Sequence, residues 1–147
     1  MKPRIDYRKA TPAGMDTLSG INRYLDASGL DAPLRLLLEI RISQINGCAY
    51  CVNMHVQQAR AAGETAQRLD CLCVWREVDF FEPRERAALA WAEALTLSAR
   101  ATPDEALYDA LCTFFDEKAV VDLTLAIAGM NAWNRIGVAF RPTVREH

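Results

Sequence analysis

Apolar residues recur along this chain at three- and four-residue spacing, and no useful stretch alternates with period two, so the pattern predicts helices throughout. Leu18, Ile21 and Leu25 set a helix over about residues 16–27, with Asp16 as its cap and Gly29 past its end. A second helix covers 32–45, with Pro33 in its first turn. Its wide apolar face of Leu36, Leu37, Leu38 and Ile40 predicts a central position, and Ile42 and Ile45 continue it to the Asn46-Gly47 break. A third helix starts near Cys48 and ends at about Ala62, before Gly63. A weaker fourth, over 64–77, passes through Leu69, Leu72, Cys73 and Trp75. After the connector Phe80-Phe81-Glu82-Pro83, Pro83 opens a fifth helix through Ala87, Ala88, Trp91, Ala94 and Leu95. Thr102 as cap and Pro103 in first position predict a sixth, ending near Phe114. The last, over 117–138, is expected to bury Val120, Val121, Leu123, Leu125, Ile127 and Met130, with Ala126 and Gly129 small enough for close approach of another backbone.

The fold class that follows is all-α: a single-domain bundle of about six to seven helices over residues 16–141. An extended arm, 1–15, carries Pro3, Pro12 and Gly14 among charges. A tail, 142–147, ends in His147, which is expected to be disordered. Composition sharpens this picture. At 51% hydrophobic and 24% charged the chain is globular rather than disordered, and its 147 residues bury a substantial core. A net charge of -2 with no Lys/Arg face argues against nucleic acid as a partner. The charged N-terminus has no apolar segment behind it, and no run reaches the length of a membrane span, so the expectation is a cytoplasmic protein with no membrane partner. Several short helices leave apolar faces over, which favours a homo-oligomer.

Five cysteines are an odd count, which in a reducing compartment points to redox or metal chemistry rather than a disulfide framework. Cys71, Cys73 and Cys112 read as small buried residues. Cys48, Cys51 and His55 are different, because positions i, i+3 and i+7 share one helix face. Helix rise puts Cys51 about 6 Å along the axis from His55 and Cys48 about 10.5 Å from it. His55 is therefore expected to hydrogen-bond to Cys51, directly or through one water, and to take its proton. Both cysteines stand at a helix start, where the dipole favours thiolate. Cys51 is the candidate nucleophile, and Cys48 can condense with a sulfenic acid on it. Two other readings stay open: three ligands of a metal site, for which no second pair closes the shell, and two core thiols beside a satisfied histidine. No cofactor is implied.

Residues 43–55, Ser-Gln-Ile-Asn-Gly-Cys-Ala-Tyr-Cys-Val-Asn-Met-His, resemble the core motif of the alkyl hydroperoxidase D-like proteins of the carboxymuconolactone decarboxylase superfamily. The likeness extends over roughly 30–140, through Trp75-Arg76-Glu77, the Arg84 to Trp91 run with Glu93, and Asn131-Ala132-Trp133-Asn134-Arg135. The resemblance implies an all-α fold and homo-oligomers, often hexamers built as trimers of dimers. It implies a peroxidase acting on a hydroperoxide, with Cys51 peroxidatic, Cys48 resolving and His55 in the proton relay. The implied reductant is a dithiol such as a lipoylated protein. The family's hydroperoxidases place the relay glutamate twelve residues before the first cysteine, where this chain has Leu36; Glu39 stands three residues later. That offset turns a side chain by about 60° and moves it about 4.5 Å along the helix, so Glu39 is a shifted candidate or a surface residue. The rival readings are a non-enzymatic redox sensor or binding protein and a lactone decarboxylase, which does not need a cysteine pair. Tyr50 is a candidate wall of the peroxide entrance. Asn131, Asn134 and Arg135 are expected to form a structural polar network, and Trp91 to pack.

Overall fold

A computed structural model describes residues 2–144 as a single helical domain. Its elements are α1 (Tyr7–Ala10), α2 (Pro12–Ala27), α3 (Ala32–Asn46), α4 (Ala49–Ala61), α5 (Ala66–Cys71), a 3-10 turn η1 (Leu72–Glu77), α6 (Pro83–Thr96), α7 (Glu105–Cys112) and α8 (Glu117–Phe140). His147 lies outside the described residues.

The centre is α3, as its apolar girth requires. Leu34, Leu37, Leu38, Ile40 and Ile42 are all essentially inaccessible, and the helix packs against α4, α6 and α8. Asp31 caps it by accepting the Leu34 N–H. Its far end closes in a Schellman turn: Gly47 takes a left-handed φ of 68°, its N–H reaches Gln44 O, and the Cys48 N–H reaches Ser43 O at 3.0 Å. This turn reverses the chain directly into α4.

The 24-residue α8 is the second long support, and Asp116 caps it on the Ala119 N–H. Gly129 does serve close packing, because a Cβ there would stand 3.1 Å from Ile21 Cγ2 on α2. Asn134 is wholly buried and donates to Ser43 Oγ at 3.0 Å, while Asn46 Nδ2 donates to Asn131 Oδ1 and Asn134 Oδ1 at 2.9 Å each. The expected network thus clasps the end of α3 to α8; Arg135 joins it from the surface through the Asn131 carbonyl. Replacing Asn134 by Ala strands buried polar groups and is expected to cost about 2–3 kcal/mol in a urea titration. Trp91 packs as expected, donating to Thr124 Oγ1.

Several expectations give way. The arm is not extended through residue 15: Asp6 caps the short α1, and Pro12, suited to a helix's first turn, starts α2 ahead of Asp16. Asp16 instead pairs with Arg23. The segment 64–77 does not run as one helix: α5 gives way to η1, whose backbone leaves helical geometry at Val74 (φ -122°, ψ 29°), while Leu69, Leu72 and Trp75 stay buried. Cys73 and Cys112 are exposed and Cys71 only half-buried, so none of the three is a core thiol. Asp104, not Thr102, caps α7, accepting from the Leu107 N–H at 2.9 Å. On α8, Val121 is 57% and Leu125 37% exposed, since the buried stripe runs through Val120, Leu123, Ile127 and Met130.

Candidate active site

Cys48 is the N-cap of α4, and its Sγ accepts the Cys51 N–H at 3.3 Å. The two cysteines form a disulfide across one helical turn, with Cα atoms 5.3 Å apart. Both are buried against the core. Gly137 on α8 makes room for them: a Cβ there would lie 2.6 Å from Cys48 Sγ and 3.2 Å from Cys51 Sγ. Sequence reasoning passed over Gly137, although a glycine inside a long apolar helix is the same signal that singled out Gly129.

The two sulfurs have different surroundings. Cys51 lines a cavity of about 480 Å³ together with His55, Glu39, Tyr50 and Trp133. Cys48 does not line it; it borders two separate hollows, one beside Ser43 and Val52 and one beside Gly137 and Val138.

Glu39 belongs to this cavity. It is 7% exposed, and its Oε2 lies 3.2 Å from His55 Nδ1. Its Oε1 accepts from Arg35 Nε at 2.8 Å, and Arg35 continues to Asp26 Oδ1 at 2.8 Å. The surface alternative for Glu39 therefore fails, and Leu36, at the family position, lines the same cavity.

In the disulfide form His55 makes no direct hydrogen bond to Cys51, the first of the two arrangements that the spacing allows. Its Nδ1 faces two acceptors instead, Glu39 and Gln58 Oε1 at 2.9 Å. The Glu39 carboxylate beside Nδ1 favours the tautomer protonated there, which leaves Nε2 as the basic nitrogen. Burial pushes the imidazole below its ordinary value, outweighing the opposing pull of Glu39 and the Gln58 hydrogen bond. The ring is thus neutral and able to accept a proton near neutral pH.

This has a measurable consequence. Between the unfolded value of 6.5 and the lower folded one, the unfolded chain binds the His55 proton more readily. Stability is therefore expected to fall as pH drops through 6.5 and to level off once the folded imidazole also protonates. Urea midpoints against pH for the native chain and His55→Gln check this, the variant lacking that component.

Glu93 is the other buried carboxylate near α3. It accepts from Trp75 Nε1 at 3.0 Å, Arg41 Nε at 2.6 Å and Arg76, ties α3, η1 and α6 together, and does not line the cavity. Burial opposes its charge, but these donors hold its carboxyl below the usual range. Among the described residues no three His, Cys, Asp or Glu side chains converge as a metal-holding cluster.

A helical domain with a Cys-x-x-Cys disulfide at the head of α4, and a histidine and glutamate beside it, defines an alkyl hydroperoxidase D-like thiol protein. The chain belongs to the carboxymuconolactone decarboxylase family, whose model matches residues 10–94. It is 43% identical over 140 residues to YdfG of Bacillus subtilis (strain 168), an uncharacterized protein, covering 95% of each chain. It is 32% identical over 112 residues to the likewise uncharacterized YnjA of Escherichia coli (strain K12), covering 76% of this chain and 61% of that one. A solved Agrobacterium tumefaciens protein of unknown function, ATU0492, described as a candidate antioxidant defence protein AhpD, superposes with a TM-score of 0.96. That match has 36% identity and covers 99% of this chain and 100% of that one. The family and the disulfide fit a role in antioxidant defence. No helix among the described residues is long and apolar enough to cross a membrane.

Proposed function

We propose that the chain is a thiol-dependent peroxidase, reducing an organic hydroperoxide at Cys51 with electrons from a dithiol. The observation that carries this is the Cys48–Cys51 disulfide with only Cys51 on the cavity shared by His55 and Glu39. In the reduced protein Nε2 of His55 takes the Cys51 proton, while Glu39, held by Arg35, steadies the resulting imidazolium. The thiolate attacks the terminal peroxide oxygen, the O–O bond breaks, and the alcohol leaves with the proton from His55. Cys51 is now a sulfenic acid. The Cys48 thiol displaces its hydroxyl as water and closes the disulfide. A dithiol, such as a lipoylated protein's dihydrolipoyl group, restores both thiols through a mixed disulfide and is itself oxidised to its own disulfide. The same reading carries a homo-oligomer, supported by the exposed Val121 and Leu125 on α8.

The test is steady-state consumption of cumene hydroperoxide with a panel of dithiol donors, including dihydrolipoamide, alongside the protein's mass. Sustained turnover is expected. Loss of two hydrogens after peroxide without turnover would make the chain a redox sensor instead.

A further inference from the structure

We infer that the Cys51 cavity selects a hydroperoxide with an apolar body and a carboxylate, and that Arg8 on the N-terminal turn reads the carboxylate. This rests on the peroxidase reading and names the substrate class of that site.

The cavity is far larger than hydrogen peroxide requires and falls in the range of sites for organic molecules. Its apolar wall is built by Tyr7, Tyr50, Met54, Met130 and Trp133, drawn from α1, α4 and α8. α1 is held in that wall by its surroundings. Arg4 N–H donates to Phe140 O at 3.0 Å, its Nη1 donates to Ala139 O at 2.9 Å, and the Tyr7 ring stacks obliquely on Phe140 at 5.8 Å.

Two cations line the cavity, and they differ in what they are free to do. Arg35 is committed to Glu39 and Asp26, so those carboxylates are also spoken for. Arg8 lies 5.6 Å from the ring centres of Tyr7 and Trp133, and among the described residues it enters no salt bridge or hydrogen bond. A guanidinium parked on aromatic faces keeps its planar fork of donors available, and a carboxylate matches that fork. Trp133 closes this end of the wall, with its indole N–H buried and without a partner. The peroxide end reaches Cys51 with the apolar body along the aromatic wall, and the carboxylate stays at the Arg8 end.

The experiment compares linoleic acid hydroperoxide, its methyl ester and cumene hydroperoxide, below micelle concentrations, in the native chain, Arg8→Gln and Arg8→Lys. The acid is expected to exceed the ester about tenfold in kcat/KM, through KM. Arg8→Gln erases that preference and Arg8→Lys keeps most of it, each read as the acid-to-ester ratio of kcat/KM within one variant, with cumene hydroperoxide turnover as the reference for any general loss of activity. Equal use of acid and ester by the native chain, or an undiminished preference in Arg8→Gln, would overturn the inference. Calorimetric binding of linoleate to the disulfide form separates this from the peroxidase reading. If no hydroperoxide is turned over, the peroxidase reading falls; linoleate binding about tenfold weaker in Arg8→Gln then still upholds the carboxylate site, and equal or absent binding removes it.

Discussion

Replacing Cys51 by Ser is expected to reduce dithiol-dependent peroxide consumption to the uncatalysed background. The loss is complete because no other thiol can take its place: Cys48 does not line the cavity, and Cys71, Cys73 and Cys112 lie elsewhere. Replacing Cys48 by Ser has a different signature. Cys51 still takes one peroxide oxygen per protein and stops as a sulfenic acid, which dimedone labels, while steady turnover is lost. Replacing His55 by Gln leaves both thiols but removes the base, and the rate of the first step is expected to drop about 10²-fold or more. A Cys51→Ser protein that kept full turnover would show that the disulfide is a staple.

The second large effect is expected at Gly137. A methyl group there meets Cys48 Sγ at 2.6 Å, well inside contact distance, and the obstruction is paired sulfur in a packed interior rather than a flexible chain end. Either α8 backs away or the sulfurs part. Gly137→Ala is expected to lower the stability of the oxidised form by about 1–3 kcal/mol, the usual range for overpacking. The reduced form, whose thiols are free to rotate, loses less. Thermal melts with and without reductant, together with dimedone trapping after peroxide, read the difference. A variant that closes its disulfide at the native rate and melts unchanged would show that α8 does not constrain the pair.

Much of this architecture was legible in the chain. The breadth of the apolar face over residues 32–45 marked α3 as central, and Asn46-Gly47 marked the turn that delivers Cys48 to the head of α4. Periodicity reports which residues share a face, and that sufficed to put Cys51 and His55 together. It does not report which face meets which neighbour. Glu39 therefore looked displaced from the family position, although α4 brings His55 within 3.2 Å of it. Gly137 reveals its role only when α8 is laid across α4. Tyr7 and Arg8 read as part of a charged arm because what anchors them, the carbonyls and ring at the end of α8, lies more than 130 residues along the chain. Val121 and Leu125 were misplaced for a related reason: an apolar residue in an apolar helix is assigned to the core unless the packed stripe is known.

The long α8 acts as a ruler for the whole molecule. Gly129 receives α2, Asn131 and Asn134 grip the end of α3, Gly137 accommodates the sulfurs, and Phe140 moors the N-terminal turn. Each mark is set by its distance along one rigid rod. Adding or removing a single residue between Asn134 and Gly137 would swing every later mark by about 100° and slide it about 1.5 Å. The sulfurs would face a side chain, and the N-terminal turn would lose its mooring. Between Gly129 and Phe140 this helix cannot change its length.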